Sequence, residues 1–168
     1  MTAARRGRKP AIGRVVLGLA FLIAASVGLG LAQVGAATTE RLVVDRHTGL
    51  ALYGFDPVAY FTDARPMPGR PDFELWLAGA TWRFRNEGNR AAFADHPEIY
   101  MPRFGGYDPL ALARGVALPG NPQYWVVAGS RLYLFQTRET RDAFASDPDK
   151  AVAVARAQWP QVIKGLVP

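Results

Sequence analysis

A motif stated twice constrains this chain more than any other feature. Gly54-Phe55-Asp56-Pro57-Val58-Ala59 returns 52 positions later as Gly106-Tyr107-Asp108-Pro109-Leu110-Ala111. Arg90-Ala91-Ala92-Phe93-Ala94-Asp95-His96-Pro97 returns 51 positions later as Arg141-Asp142-Ala143-Phe144-Ala145-Ser146-Asp147-Pro148. Between them, Trp82 and Phe84 find counterparts in Tyr133 and Phe135, again at 51. Matches in one order at nearly one spacing read as an internal duplication, with copies over about 53–100 and 105–152. A repeat decides architecture first, and it offers a structural reason for residues that otherwise look catalytic.

Each copy reads as a helical turn, a hairpin and a helix. Asp56-Pro57 and Asp108-Pro109 are helix starts, because Asp accepts from the first-turn N–H groups and Pro tolerates the first helical position. Alternation of Phe73, Leu75 and Leu77, then of Trp82 and Phe84, predicts a hairpin around Ala78-Gly79. Trp125 and Val127, then Leu132 and Leu134 or Tyr133 and Phe135, predict a second around Gly129-Ser130. Asn86 and Thr137 cap helices ending near Asp95 and Ser146, and an Ala-rich helix follows from Asp149 until Trp159-Pro160 ends it. Leu42–Val44 and Leu50–Tyr53 suggest a short strand pair. One hairpin with one helix cannot bury a core alone. Two copies sharing a sheet, or two facing sheets, solve this, and the expectation is an α+β fold: two hairpin-plus-helix repeats form one small antiparallel-sheet domain with pseudo-twofold character. Its expected core is Trp82, Phe84, Phe93, Trp125, Phe135 and Phe144.

Charge locates the chain. The net charge of +6 suggests an anionic partner, but Arg5, Arg6, Arg8, Lys9 and Arg14 lie in the first 37 residues, which hold no acid. The remainder carries 15 basic against 14 acidic residues, so no nucleic-acid footprint is left. An uncharged run from Val15 to Thr39 follows the basic stretch. It reads as a cleavable signal peptide or as a signal-anchor helix spanning residues 12–37. Residues 1–39 are thus leader and 40–168 the folded domain, which the positive-inside rule places outside the cytoplasm in either case. The absence of cysteine excludes disulfides, thiolate metal sites and a thiol nucleophile.

The motifs Asp56-Pro57-Val58-Ala59, Trp82-Arg83-Phe84-Arg85-Asn86-Glu87-Gly88-Asn89, Phe93 and Pro97-Glu98-Ile99-Tyr100 resemble the YHS domain family. From Gly49 to Pro160 the chain is similar to that family's exported bacterial branch. The resemblance implies a domain on the periplasmic face of the inner membrane, or free in the periplasm if the leader is cut. Metal-binding members place cysteines where this chain has Ala59, Arg85 and Asn89, and the exported branch places one where Asp108 stands. That metal role does not transfer to residues without thiolates.

The remaining candidates carry two readings each. Asp56 and Asp108 are helix caps or a proton-sharing acid pair. Asp→Asn separates these readings, since Asn still caps. His47 and His96 are surface residues or partial metal ligands, and Met67 and Met101 pack or bind copper through thioethers. Arg103-Phe104-Gly105-Gly106-Tyr107-Asp108 is a tight connection or a ligand-binding segment. Tyr60, Arg103, Tyr107 and Asp108 are expected to line a cleft between the copies, with no catalytic residue, resident metal or cofactor. The expected function is binding or structural, towards a small ligand or a membrane or periplasmic protein, without nucleic acid. The alternative is handling of copper, zinc or iron through His, Asp and Met.

Overall fold

The computed structural model describes residues 41–166, so the expected N-terminal hydrophobic helix lies outside the described residues. The class is α+β. In chain order the elements are α1 (Ala59–Thr62), β1 (Arg70–Leu77), β2 (Ala80–Phe84), α2 (Glu87–Asp95), α3 (Pro97–Tyr100), α4 (Pro109–Leu112), β3 (Asn121–Ala128), β4 (Arg131–Phe135), α5 (Arg138–Ser146) and α6 (Pro148–Val162). β1 pairs with β2 and β3 with β4, both antiparallel, in two separate two-stranded sheets, so the hairpins do not share a sheet.

Local chemistry accounts for these boundaries. Both hairpin turns hold two residues at positive φ, Ala78-Gly79 and Gly129-Ser130, and that geometry matches the strands' own twist. The Asn86 side chain accepts from Asn89 N, and Thr137 from Thr140 N, which satisfies first-turn donors of α2 and α5. α3 and α6 begin at Pro97 and Pro148, where a missing N–H costs nothing. α6 does not stop at Trp159-Pro160 but runs through the proline. Pro160 is exposed and sits in the last turn, while Val162 and Ile163 beyond it pack on a hydrophobic core. That packing outweighs the one helical bond lost.

The expected strand pair before Asp56 shrinks to a bridge between Val44 and Ala51, and Leu50 instead bridges Thr81. Leu52, Tyr53 and Gly54 then turn left-handed, with φ of 51, 53 and 81°. Phe104, Gly105 and Gly106 repeat the turn at 55, 62 and 87°. Here Gly105 is a steric requirement. A side chain on it would collide with the carbonyl oxygen of Arg41, because the chain's 41–43 segment lies against it and Val43 N donates to Gly105 O at 2.8 Å.

Two cores result. The first gathers Trp82 and Phe84 of β2 around Phe93 of α2, with ring centroids 4.8 and 5.1 Å away. The second gathers Tyr133 and Phe135 of β4 around Phe144 of α5, both at 4.9 Å. Leu132 and Leu134, on the other face of β4, belong to the first core, and α3 touches β4 there. β4 is therefore buried on both faces. Trp125 is only partly buried, set edge-on to Tyr60 at 5.3 Å.

This arrangement departs from the expected two-fold. Thr81 and Arg83 stand 51 positions before Leu132 and Leu134, yet their face of the first hairpin carries the Arg83–Glu74 ion pair and Trp76, which is 69% exposed. Matching faces do not meet one another. A hairpin of only two strands leaves each face needing cover, and among the described residues only the second hairpin gets it on both sides.

Gly105→Ala should lower stability by about 2 kcal/mol or more in denaturant melts, combining left-handed strain with the clash against Arg41. Unchanged stability would show that the 41–43 segment does not hold that position.

Candidate functional site

Asp56 and Asp108 are fully buried, and each carboxylate accepts four hydrogen bonds. Asp56 Oδ1 takes Val58 N at 2.8 Å and Ala59 N at 3.4 Å. Its Oδ2 takes Arg85 N at 2.8 Å and Asn89 Nδ2 at 2.7 Å. Asp108 does the same with Leu110 N at 2.8 Å and Ala111 N at 3.3 Å, then Gln136 N at 2.9 Å and Thr140 Oγ1 at 2.7 Å. One oxygen caps a helical turn. The other ties that turn to the end of a hairpin and the first turn of the next helix. All partners of each carboxylate come from its own half of the chain, so the two do not form a proton-sharing pair.

Ala59, Arg85 and Asn89 meet at Asp56 although they span 30 positions of sequence. The Arg85 guanidinium turns outward to Asp63 at 2.7 Å. Its hydrogen bond, with a second from Thr62, holds the Asp63 carboxyl below its ordinary range. A carboxylate depressed by its partner adds stability above its ordinary pKa of 3.8, and that contribution fades as pH falls through the lower folded value.

The four residues expected to line one cleft are not brought together. Tyr60 is buried in the first core and donates to Pro122 O at 3.0 Å, a tie between the halves. Burial, helped by the Asp56 charge, pushes its hydroxyl pKa far up, so it stays a neutral donor. Tyr107 is buried in the second core, and Asp108 is spent as described. Only Arg103 reaches the surface, where it lines clefts beside α6.

A cleft of about 460 Å3 does open between the halves. Tyr53 and Phe55 line it from one side, Asn121, Pro122, Gln123 and Gln136 from the other. Among the described residues, none that lines it is charged. Tyr53 is 43% exposed and keeps its left-handed φ, a strained state for a bulky residue. Neither Tyr53 nor Gln136 was legible as a site residue. Tyr53 adjoins the repeated motif, but nothing in a tyrosine announces a left-handed backbone.

His47 and His96 are both exposed, and His96 Nδ1 lies 3.7 Å from Glu98. Met67 carries its backbone carbonyl to Asp56 N, and Met101 packs on the first core. Among the described residues no three His, Cys, Asp or Glu side chains are grouped to hold a metal ion, and no helix is long and apolar enough to cross a membrane. No family model matches the chain, and no curated protein or solved structure matches it either.

The geometry changes what Asp→Asn does at these sites. An amide has one acceptor oxygen, so its NH2 would face backbone donors on one side. Asp56→Asn and Asp108→Asn should each cost about 2–4 kcal/mol in urea melts, the sum of lost charge-assisted bonds and stranded donors. A cost below about 1 kcal/mol would show capping alone. Replacing Arg85 by Met should lower stability at neutral pH, and the gap from the wild type should close as pH drops below 3.8. A gap constant with pH would remove the ion pair as its cause.

Proposed function

We propose that this chain is an extracytoplasmic, membrane-associated YHS-like binding module without catalysis of its own. On this reading it is built from two hairpin-plus-helix repeats behind an N-terminal hydrophobic helix. The observation that carries the reading is the meeting of Ala59, Arg85 and Asn89 at one buried carboxylate. These are the positions at which the resembling family sets metal-binding cysteines. A shared site in such a family requires distant positions to converge, and here the converged groups fasten the fold. The same set recurs at Ala111, Gln136 and Thr140 around Asp108.

With both carboxylates saturated, binding falls to the open surfaces. The uncharged cleft of Tyr53, Phe55 and Gln136 suits a neutral ligand, with amides to hydrogen-bond it and an aromatic ring to cover it. Strain retained at an exposed tyrosine fits a residue kept for contact rather than for stability. The basic leader followed by an uncharged run supports a location at the inner membrane with the domain in the periplasm, or free there after cleavage.

The full chain, purified from membranes without a His tag, should carry no stoichiometric copper, zinc or iron. Native mass spectrometry should detect a neutral bound species, and Tyr53→Gly should lose it. The same variant should hold or raise stability by about 0.5–1 kcal/mol, because glycine relieves the left-handed strain. Stoichiometric metal, or binding unaffected at Tyr53, would contradict the proposal.

A further inference from the structure

A second site lies away from the Tyr53 cleft, on the face of α6. Asp149, Val152, Arg156 and Trp159 are spaced three, four and three apart, so they form one stripe of that helix. The stripe forms one wall of two adjoining clefts of about 400 and 410 Å3. Arg103 and Arg156 line both clefts, so the two are one groove with two lobes. Arg131, from the start of β4, joins them in the first lobe, and Trp159 lies in the second.

The charge in this groove is not spent in ion pairs among the described residues. Among the described residues, none of Arg103, Arg131 and Arg156 makes an ion pair within 4.0 Å, although Arg131 donates to its neighbour's carbonyl, Ser130 O, at 3.0 Å. Six other ion pairs do form among those residues, so the chain does not lack for acids. The first lobe is lined by these three arginines and one carboxylate, Asp149, and the whole groove by the same three arginines against two carboxylates, Asp149 and Glu98, a formal excess of one positive charge. Glu98, Arg103, Arg156 and Trp159 line the second lobe, and Glu98 lies 3.7 Å from His96 Nδ1. Like charges lining a concave wall raise the local potential and favour an anion. Guanidinium groups match a phosphate's paired oxygens with two parallel bonds. Trp159 is half-buried against Phe104 at 5.8 Å and is held as a fixed aromatic wall.

We propose that this groove binds a phosphate monoester. Its dianionic head is held by Arg103, Arg131 and Arg156, and its organic part lies against Trp159. Two sources share that chemistry, a soluble phosphate ester and the headgroup of a phosphatidic-acid lipid.

The test is isothermal titration of the full chain in neutral detergent at low salt, with inorganic phosphate and phenyl phosphate as probes. Both should bind saturably, phenyl phosphate more tightly. Arg156→Ala, at an exposed position, and Arg103→Ala should each weaken both probes about tenfold at unchanged melting temperature. Trp159→Phe should narrow the difference between the probes. Arg114→Ala, at an exposed position outside the groove, should change nothing. Phosphatidic acid in mixed micelles of the same detergent that displaces phenyl phosphate, where phosphatidylcholine does not, identifies the lipid as the source; failure of both to displace it identifies the soluble ester. Absence of saturable binding by either probe, or an equal loss in Arg114→Ala, overturns the proposal. Neither result bears on the Tyr53 cleft, which takes an uncharged ligand.

Discussion

Two buried carboxylates hold this fold in place. A helical turn of four residues has almost no stability of its own, and a two-stranded hairpin has little more. Asp56 and Asp108 join these weak pieces. In each case one oxygen satisfies the donors that open a short helix, and the other satisfies a donor at the end of a strand and one in the first turn of the following helix. Burying a charge is expensive unless it is fully bonded, and here every acceptor direction is used. The aromatic trios behind each carboxylate, Trp82–Phe84–Phe93 and Tyr133–Phe135–Phe144, then close the two cores.

The direction of stacking has a further consequence. The second hairpin is covered on both faces because Leu132 and Leu134 replace the polar Thr81 and Arg83 of the corresponding positions in the first. On our reading as a repeat, the two units add in one direction, and the outer face of the first hairpin ends the stack. Its Arg83–Glu74 ion pair and exposed Trp76 form a terminal face rather than a core face. The left-handed turn before each Asp is treated differently too. Gly105 yields its place to the 41–43 segment, whereas Tyr53 keeps a side chain there and shapes the cleft between the halves.

Much of this was legible from local chemistry. The caps Asn86 and Thr137, the prolines opening α3 and α6, and the turns Ala78-Gly79 and Gly129-Ser130 each act through their immediate neighbours, and a sequence displays those. The capping role of both aspartates was readable for the same reason. Their second oxygens were not, because Arg85 and Gln136 lie 29 and 28 positions downstream and bond through backbone N–H groups that carry no side-chain signature. Tyr60 and Tyr107 looked like cleft residues because phenols suit ligands, yet burial decided otherwise. The arginine groove draws on α6, β4 and the turn at Arg103, and only the 3.6-residue spacing along α6 left a trace in sequence.

Amide hydrogen exchange by NMR tests the central claim most directly, through the N–H groups of Arg85 and Gln136. If the buried carboxylates fasten the fold, both amides exchange only through global unfolding, as slowly as the amides in the centre of β4. Exchange at the rate of exposed loop amides would contradict it and leave Asp56 and Asp108 as ordinary helix caps.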